Sequence, residues 1–477
     1  MPDIREVRVV KVQKNMNLPL KVKFGYGAAE GANSMVFTLF YTFGMFFFTD
    51  VVGLSPAFAG IILAVGTLWD AITDPLVGIW SDSVKSKWGR RRPFLLGIAV
   101  PYGLVTWLLF TDFDLSPAMT KAYFLVMVIF YFAAFTLLNI PYTALAAEMT
   151  QDYNDRTSLN GWRAGWSQVA SIIGAGTPLA LATYFTKIGG SKRFGWSCMS
   201  LIFGLICIPL IFFTWRMTRD RELFPEVTTV HIKDVWNAAF KNRPFRIIVG
   251  LYASALIGMT VAGSVGVYFM TYFMGFSEDQ ISVAFLILFS FTVAWIPLID
   301  IVSERLGKRR AWLIFVGMWA CVQIIGIQLL MKPERNLLLY ILMAFAAGGL
   351  VGSYQLGWAM IPDCVEVDEF KTGHRREGLY YGITTFTQKT GCAIALWIVG
   401  GLLTWVGYVP GVQQSEKALM GIKAIYGIGV ALCLIISILF ALMLPMTKDK
   451  HDALRKAIAL KKEGKEFDTR SIEDIIR

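Results

Sequence analysis

A chain of 477 residues that is 55% hydrophobic, 14% aromatic and only 17% charged, with a mean hydropathy of +0.55, lies far from the usage of a soluble globular protein. Its formal charge of +11 would suit nucleic acid as a partner, but Lys and Arg gather in the N-terminal tail, in every second loop and in the C-terminal tail. That is the positive-inside pattern of a multi-pass membrane protein with both termini in the cytoplasm, and contact with anionic lipid accounts for the basic loops without nucleic acid.

In chain order, the N-terminal tail (1–23) is too polar and too charged to supply the apolar centre of a cleaved signal. About twelve apolar runs follow, each long enough to cross a hydrocarbon core of about 30 Å. They lie near 24–49, 57–81, 94–112, 121–147, 163–186 and 194–214, then near 245–274, 280–302, 311–331, 337–360, 378–408 and 420–446. The polar interval 215–244 divides them evenly and reads as a cytoplasmic linker between an N-terminal bundle (24–214) and a C-terminal bundle (245–446). The predicted fold class is therefore an all-α integral membrane protein of two six-helix bundles. The charged segment 447–477 closes the chain as an amphipathic cytoplasmic tail.

The loop after the second run carries Asp82, then Gly89-Arg90-Arg91-Arg92; the loop after the eighth carries Asp300, then Gly307-Lys308-Arg309-Arg310. The same acid, spacing, glycine and basic triplet in each half mark two parallel repeats. Asp82, Arg90 and Arg91, with Asp300 and Arg309, are expected to form charge networks that latch the halves in one conformation. The basic residues alone could be topology signals, but the matched spacing is not explained that way.

Asp70 and Asp74 stand one helical turn apart within the second apolar run, on the same side of a helix. A carboxylate at that depth costs at least about 2.5–3.5 kcal/mol on insertion scales, so two of them ask for a partner. With Thr73 beside them they offer oxygen ligands suited to a hard cation such as Na⁺, or a site for one proton. The alternative is a structural ion pair, for which Lys389 in the eleventh run is the candidate. Further polar residues fall on the runs of both halves: Glu30, Asn33 and Ser34, Thr136 and Asn139, Arg163 at the start of the fifth, Gln355, and Gln388 beside Lys389. Their number points to a midplane cavity between the bundles.

Enzyme classes find no support. The six cysteines form no CxxC pair and read as small apolar residues. The three histidines, His231, His374 and His451, fall in loops or the tail, and no HExxH, GxSxG or Walker motif occurs.

Several segments carry a resemblance: "FGYG" (24–27), "FFFTDVVGLSPAFAG" (46–60), "WDAITDPLVG" (69–78), "SKWGRRRPF" (86–94), "NIPYTAL" (139–145), "DRTSLNGWRA" (155–164), "DCVEVDEFKTGHRREGLYYGITTFTQKTG" (363–391) and "VGYVPGVQQSEKAL" (406–419). On these the sequence resembles the glycoside–pentoside–hexuronide:cation symporters of the major facilitator superfamily over nearly all its spans. The resemblance implies alternating access, a bacterial inner-membrane location and a coupling ion, Na⁺ or H⁺, with no other cofactor and a monomeric state. It makes Asp70, Asp74, Thr73 and Thr136 the cation site, and places Lys389 between that site and the sugar site. The substrate site would comprise Arg163, Asn139, Ser34, Glu30, Tyr354 and Lys389. Ser34 and Asn139 stand where aspartates grip the sugar in the family pattern, and Tyr354 replaces a tryptophan. The loss of two acids with two cations kept predicts a positive pocket and an anionic cargo, such as a hexuronide or sulfonated sugar, unless Glu30 replaces one carboxylate. A neutral glycoside or pentoside, and a lysolipid carried with Na⁺, are the alternatives.

Overall fold

The computed structural model describes residues 18–84, 86–150, 152–219, 242–373, 376–463, 465, 469–470 and 473–476. The tail 1–17, most of the linker (220–241), His231 and His374 lie outside the described residues. Among the described residues there is no strand. Eleven helices among the described residues are long and apolar enough to cross a membrane, twelve when one bent pair is counted as a single span.

The spans are α1 (Leu20–Val51), α2 (Pro56–Ser83), α3 (Arg92–Leu109), α4 (Pro117–Met149), α5 (Asn154–Gly176 with Pro178–Gly189) and α6 (Lys192–Met217). After the linker come α7 (Arg243–Phe273), α8 (Glu278–Leu306), α9 (Lys308–Leu330), α10 (Asn336–Thr372), α11 (Glu377–Trp405) and α12 (Glu416–Met443). A shorter helix, α13 (Lys448–Lys462), follows them. Helix starts follow ordinary chemistry. Pro56 and Pro117 open α2 and α4, where a missing N–H costs nothing, and Ser277 with Gln280 forms a reciprocal capping box at the start of α8.

All twelve expected runs coincide with these helices, but two are longer than hydropathy alone suggested. The Asp152 side chain accepts the Asp155 N–H at 2.9 Å and starts α5 ahead of its apolar stretch. Arg163 therefore sits inside α5 and not at its start. The helix then bends by 41° where Pro178 interrupts the backbone ladder. Similarly, α10 runs on to Thr372 with Asp363, Glu366 and Asp368 on its last turns.

The first six spans and the last six meet along a seam in which α2 packs on α11, α5 on α8, and α1 on α7. The closest approach lies near the face away from the chain termini, here called the far face. A side chain at Gly60 would place its Cβ 2.8 Å from the Leu396 carbonyl, so only glycine admits the α2–α11 contact there. Close by, the Ala57 N–H donates to Thr404 Oγ1 at 3.1 Å.

At the far end of α1 the chain buries a carboxylate in the same seam. Asp50 accepts from Thr49 Oγ1 at 2.6 Å, from Tyr408 Oη at 2.6 and 2.7 Å, and from the Tyr272 hydroxyl. Thr49 also bonds the Tyr268 hydroxyl at 2.6 Å. Three tyrosines of the second half thus close on one acid and its neighbour from the first. From mid-depth toward the termini face the packing relaxes: Tyr354 on α10 is 50% exposed, and no neighbouring helix comes within 4 Å of where a Cβ would stand on Gly161, Gly165, Gly378 or Gly382. The halves touch at the far face and part toward the face that carries the termini.

On that second face, α13 lies across the end of α10. His451 Nε2 is 2.9 Å from Glu366 Oε2 and 3.5 Å from Asp363 Oδ1, Arg455 Nε is 3.3 Å from Glu366 Oε1, and Lys462 Nζ is 2.6 Å from Glu369 Oε1. Lys308, from the first turn of α9, shares Asp363 at 2.7 Å. The Glu366 bond raises the His451 pKa above its ordinary 6.5, with Asp363 adding to it while burial and Lys308 oppose.

Two outcomes follow from these contacts. Asp50→Asn removes charge-assisted bonds worth about 1.5–3 kcal/mol to each partner, so a cysteine at Ala57, in a chain without native cysteines, should become more reactive to reagent added from the far face. An unchanged rate would show that Asp50 does not hold the seam. For His451 the folded pKa lies above the unfolded one, so its contribution to docking α13 is fully present below pH 6.5 and is lost as pH rises through the raised value. The protection of α13 amides, measured relative to their intrinsic base-catalysed exchange, should fall over that rise in the wild type and be independent of pH in His451→Gln.

Candidate functional site

The predicted pair on α2 meets the predicted lysine on α11. Lys389 Nζ lies 2.6 Å from Asp70 Oδ2 and 2.5 Å from Asp74 Oδ2, so one ammonium from the second half bridges two carboxylates of the first. Helical spacing put both acids on one side; the seam brings Lys389 between them. Thr136, on α4, donates to Asp70 Oδ1 at 2.7 Å. Thr73 donates to the Trp69 carbonyl at 2.9 Å and lies 3.3 Å from the Thr136 hydroxyl. Asp74 Oδ1 is buried with no protein hydrogen-bond partner. All four predicted cation ligands are therefore in one cluster, and their donor atoms are hard oxygens of the kind Na⁺ takes.

The predicted substrate residues of the first half also converge. Arg163 Nε bonds Glu30 Oε2 at 2.6 Å, and its guanidinium lies 5.6 Å above the centre of the Tyr142 ring. Ser34 Oγ donates to Glu30 Oε1 at 3.2 Å and lies 2.7 Å from Ser167 Oγ. Asn139 Oδ1 accepts from Asn33 Nδ2 at 3.2 Å. Tyr142 stacks on Tyr26 at 4.7 Å, and its hydroxyl is buried without a partner, as is Asn33 Oδ1. Across the cleft, Tyr354 on α10 is half exposed, its ring 6.5 Å from that of Trp358. Beyond Tyr354 lie Trp358 and Tyr381, stacked at 5.4 Å.

The surplus of positive charge expected for this pocket is not what the contacts give. Arg163 is matched by Glu30, and Lys389 faces two acids. Three carboxylates oppose two cations, a net charge of −1. The acids missing at Ser34 and Asn139 are offset by Glu30, one turn earlier on α1.

The basic triplets do enter charge networks, but the ties seen here join helices of the same half. Arg91 reaches Asp82, the Ser81 hydroxyl and, at 2.9 Å, Glu148 Oε1 at the end of α4; Arg90 stands 4.0 Å from the same carboxylate. In the second half the pattern diverges. Asp300 takes Gln355 Nε2 at 2.6 Å, whereas Arg309 donates to the carbonyls of Ala441 and Leu442 at 2.9 and 2.7 Å. The base that pairs with an acid there is Lys308, one position earlier, and its partner is Asp363. Among the described residues, the ion pairs of these triplets at the termini face brace helices within a half.

Sequence reasoning missed Glu148, Asp363 and Glu366, which complete these networks, and Ser167, which positions Glu30. It also missed Asp50, Tyr272 and Tyr408. Asp50 was visible as an acid at the end of an apolar run, but nothing in its spacing pointed to phenols more than two hundred residues away.

Comparison with known proteins agrees with this architecture. A family model described as MFS/sugar transport protein matches residues 25–448. The chain is similar to the isoprimeverose transporter of Lactiplantibacillus pentosus, 28% identical over 87% of this chain and 86% of that one. It is also similar to a putative sulfoquinovose importer of Escherichia coli, 27% identical over 86% of each. Its fold is that of a mutant of the nucleoside transporter NupG seen by crystallography, with a TM-score of 0.66 at 13% identity, covering 89% of this chain and all of that one. The chain is thus a transporter and not an enzyme, and it belongs to the major facilitator superfamily, in the sugar-transporting group of the glycoside–pentoside–hexuronide:cation symporter type.

Proposed function

We propose that this protein carries a sugar or glycoside into the cell across the inner membrane, driven by an inward gradient of Na⁺ or H⁺. The observation that carries the reading is Lys389 Nζ held between Asp70 and Asp74 at 2.6 and 2.5 Å across the seam of the two halves. A cation or proton at the two carboxylates competes with the ammonium for the same oxygens. Its arrival loosens Lys389 toward the cleft, where Asn139, Arg163 and Glu30 form the sugar-binding wall. By reciprocity, a sugar that engages the released lysine strengthens cation binding by the same factor. Coupling then needs no contact between the two cargoes.

The basic N-terminal tail and alternate loops support a cytoplasmic side for the termini. On that orientation the seam closed by Asp50 and Gly60 faces outward and the cleft opens inward, a state that releases cargo to the cytoplasm. Return to the outward-open state requires the tyrosine cluster on Asp50 to part and the two halves to close at the termini face, as rigid bundles rocking about the central site.

The test is transport by the full chain in proteoliposomes. Asp74→Asn should abolish gradient-driven accumulation while exchange of internal for external sugar persists, because the cleft survives but the cation no longer gains a site. Accumulation at the normal rate by this variant would refute coupling through Asp74. Lys389→Ala should be more severe for stability, since it leaves two buried carboxylates without their counter-ion, a loss of about 3–5 kcal/mol. Its melting temperature should recover in Na⁺ or at acid pH.

A further inference from the structure

We infer that Glu30 sets the charge of the cargo: held against Arg163, it makes the cation-loaded site select neutral glycosides and reject their anionic counterparts. The inference rests on the reading of this cleft as a cation-coupled sugar site and adds the substrate class to it.

The argument is one of charge and of what is free to move. With Asp70, Asp74 and Glu30 facing Lys389 and Arg163, the site carries −1. One monovalent cation, or one proton on the carboxylate pair, brings it to neutrality. A neutral sugar then enters a compensated site, whereas a hexuronide or sulfonated sugar brings a negative charge that no group present balances. An unpaired charge out of bulk water is far more costly than an unpaired hydroxyl.

An anion could still enter by taking Arg163 from Glu30, but the geometry opposes that exchange. Glu30 is buried at 8% exposure and held at both oxygens: Oε2 by Arg163 at 2.6 Å and Oε1 by Ser34 Oγ at 3.2 Å. Ser34 is in turn tied to Ser167 at 2.7 Å. Displacing the carboxylate from Arg163 would strand it in the wall of α1 with one hydroxyl for a partner. The side chains beside Glu30 and Arg163, Ser34, Asn33 and Asn139, are uncharged and offer hydroxyl and amide groups rather than a second cation. Glu30 thus supplies the negative charge that the site lacks at Ser34 and Asn139, placed to neutralise Arg163.

The experiment compares matched pairs differing only in charge, methyl glucoside with methyl glucuronide and methyl galactoside with methyl galacturonide. Affinities are read by thermal stabilisation of the purified full chain at saturating Na⁺ and again at acid pH. The wild type should bind the neutral member about tenfold or more tightly than the uronide, and Glu30→Asp, which keeps the charge, should do the same. Glu30→Gln should reverse the order, because Arg163 is then uncompensated, and Glu30→Gln with Arg163→Gln should restore it. A wild type that prefers either uronide, or a folded Glu30→Gln that keeps the wild-type ratio, overturns the inference while leaving sugar symport standing. If Glu30→Gln does not fold, the wild-type ratio decides alone. Protection by no member of either pair overturns both this inference and the sugar reading.

Discussion

Burying ionisable groups in a membrane protein forces compensation, and here that compensation spans the two halves of the molecule. Asp70 and Asp74 belong to one bundle and Lys389 to the other. Neither partner tolerates the low-dielectric interior alone, since an unpaired charge there costs several kcal/mol. The pair therefore does two things at once: it fastens α2 to α11 at mid-depth, and it reserves a site where a cation is the natural replacement for the ammonium. On the proposed reading, coupling between ion and conformation follows from the same electrostatic requirement that fastens α2 to α11.

The remaining contacts along the seam are graded. Near the far face the halves meet through backbone approach at Gly60 and through a buried acid, Asp50, ringed by hydroxyls. Toward the termini face they separate, and the ion pairs seen there, Arg91 with Glu148 and Lys308 with Asp363, tie helices within a half. Each bundle is thereby stiffened where it is least supported by its neighbour, which suits the rocking of rigid bundles proposed above. The tail helix α13 adds to the bracing of the second half, through its ion pairs with α10. The two repeats, so alike in sequence at their basic triplets, have diverged in what those triplets hold.

The cleft illustrates how a count of residue types misleads without geometry. Two aspartates of the family pattern are absent and both cations remain, which on paper makes a positive pocket. Glu30 reverses the balance because one helical turn along α1 brings its carboxylate to the Arg163 guanidinium, with Ser34, itself bonded to Ser167, donating to its other oxygen. Charge lost at one position of the helix has reappeared at another that faces the same arginine.

Much of this was legible in the sequence. Apolar run length, set by the thickness of a bilayer, gave the spans, and helical spacing put Asp70 and Asp74 on one face. Matched loops revealed the repeat, and the tyrosine at 354 and arginine at 163 were recognised as cleft residues from the resemblance. What hydropathy could not give was the true extent of α5 and α10, because their polar first and last turns continue a helix by capping and ion pairing and not by apolar content. Nor could it give the partners: which acid meets Arg91, which phenols close on Asp50, and whether Arg163 is free or neutralised. Local sequence determines what is helical, what is buried in lipid and which charges demand a counter-charge. Only the tertiary packing of two bundles, through distances between residues hundreds of positions apart, decided which counter-charge each one found.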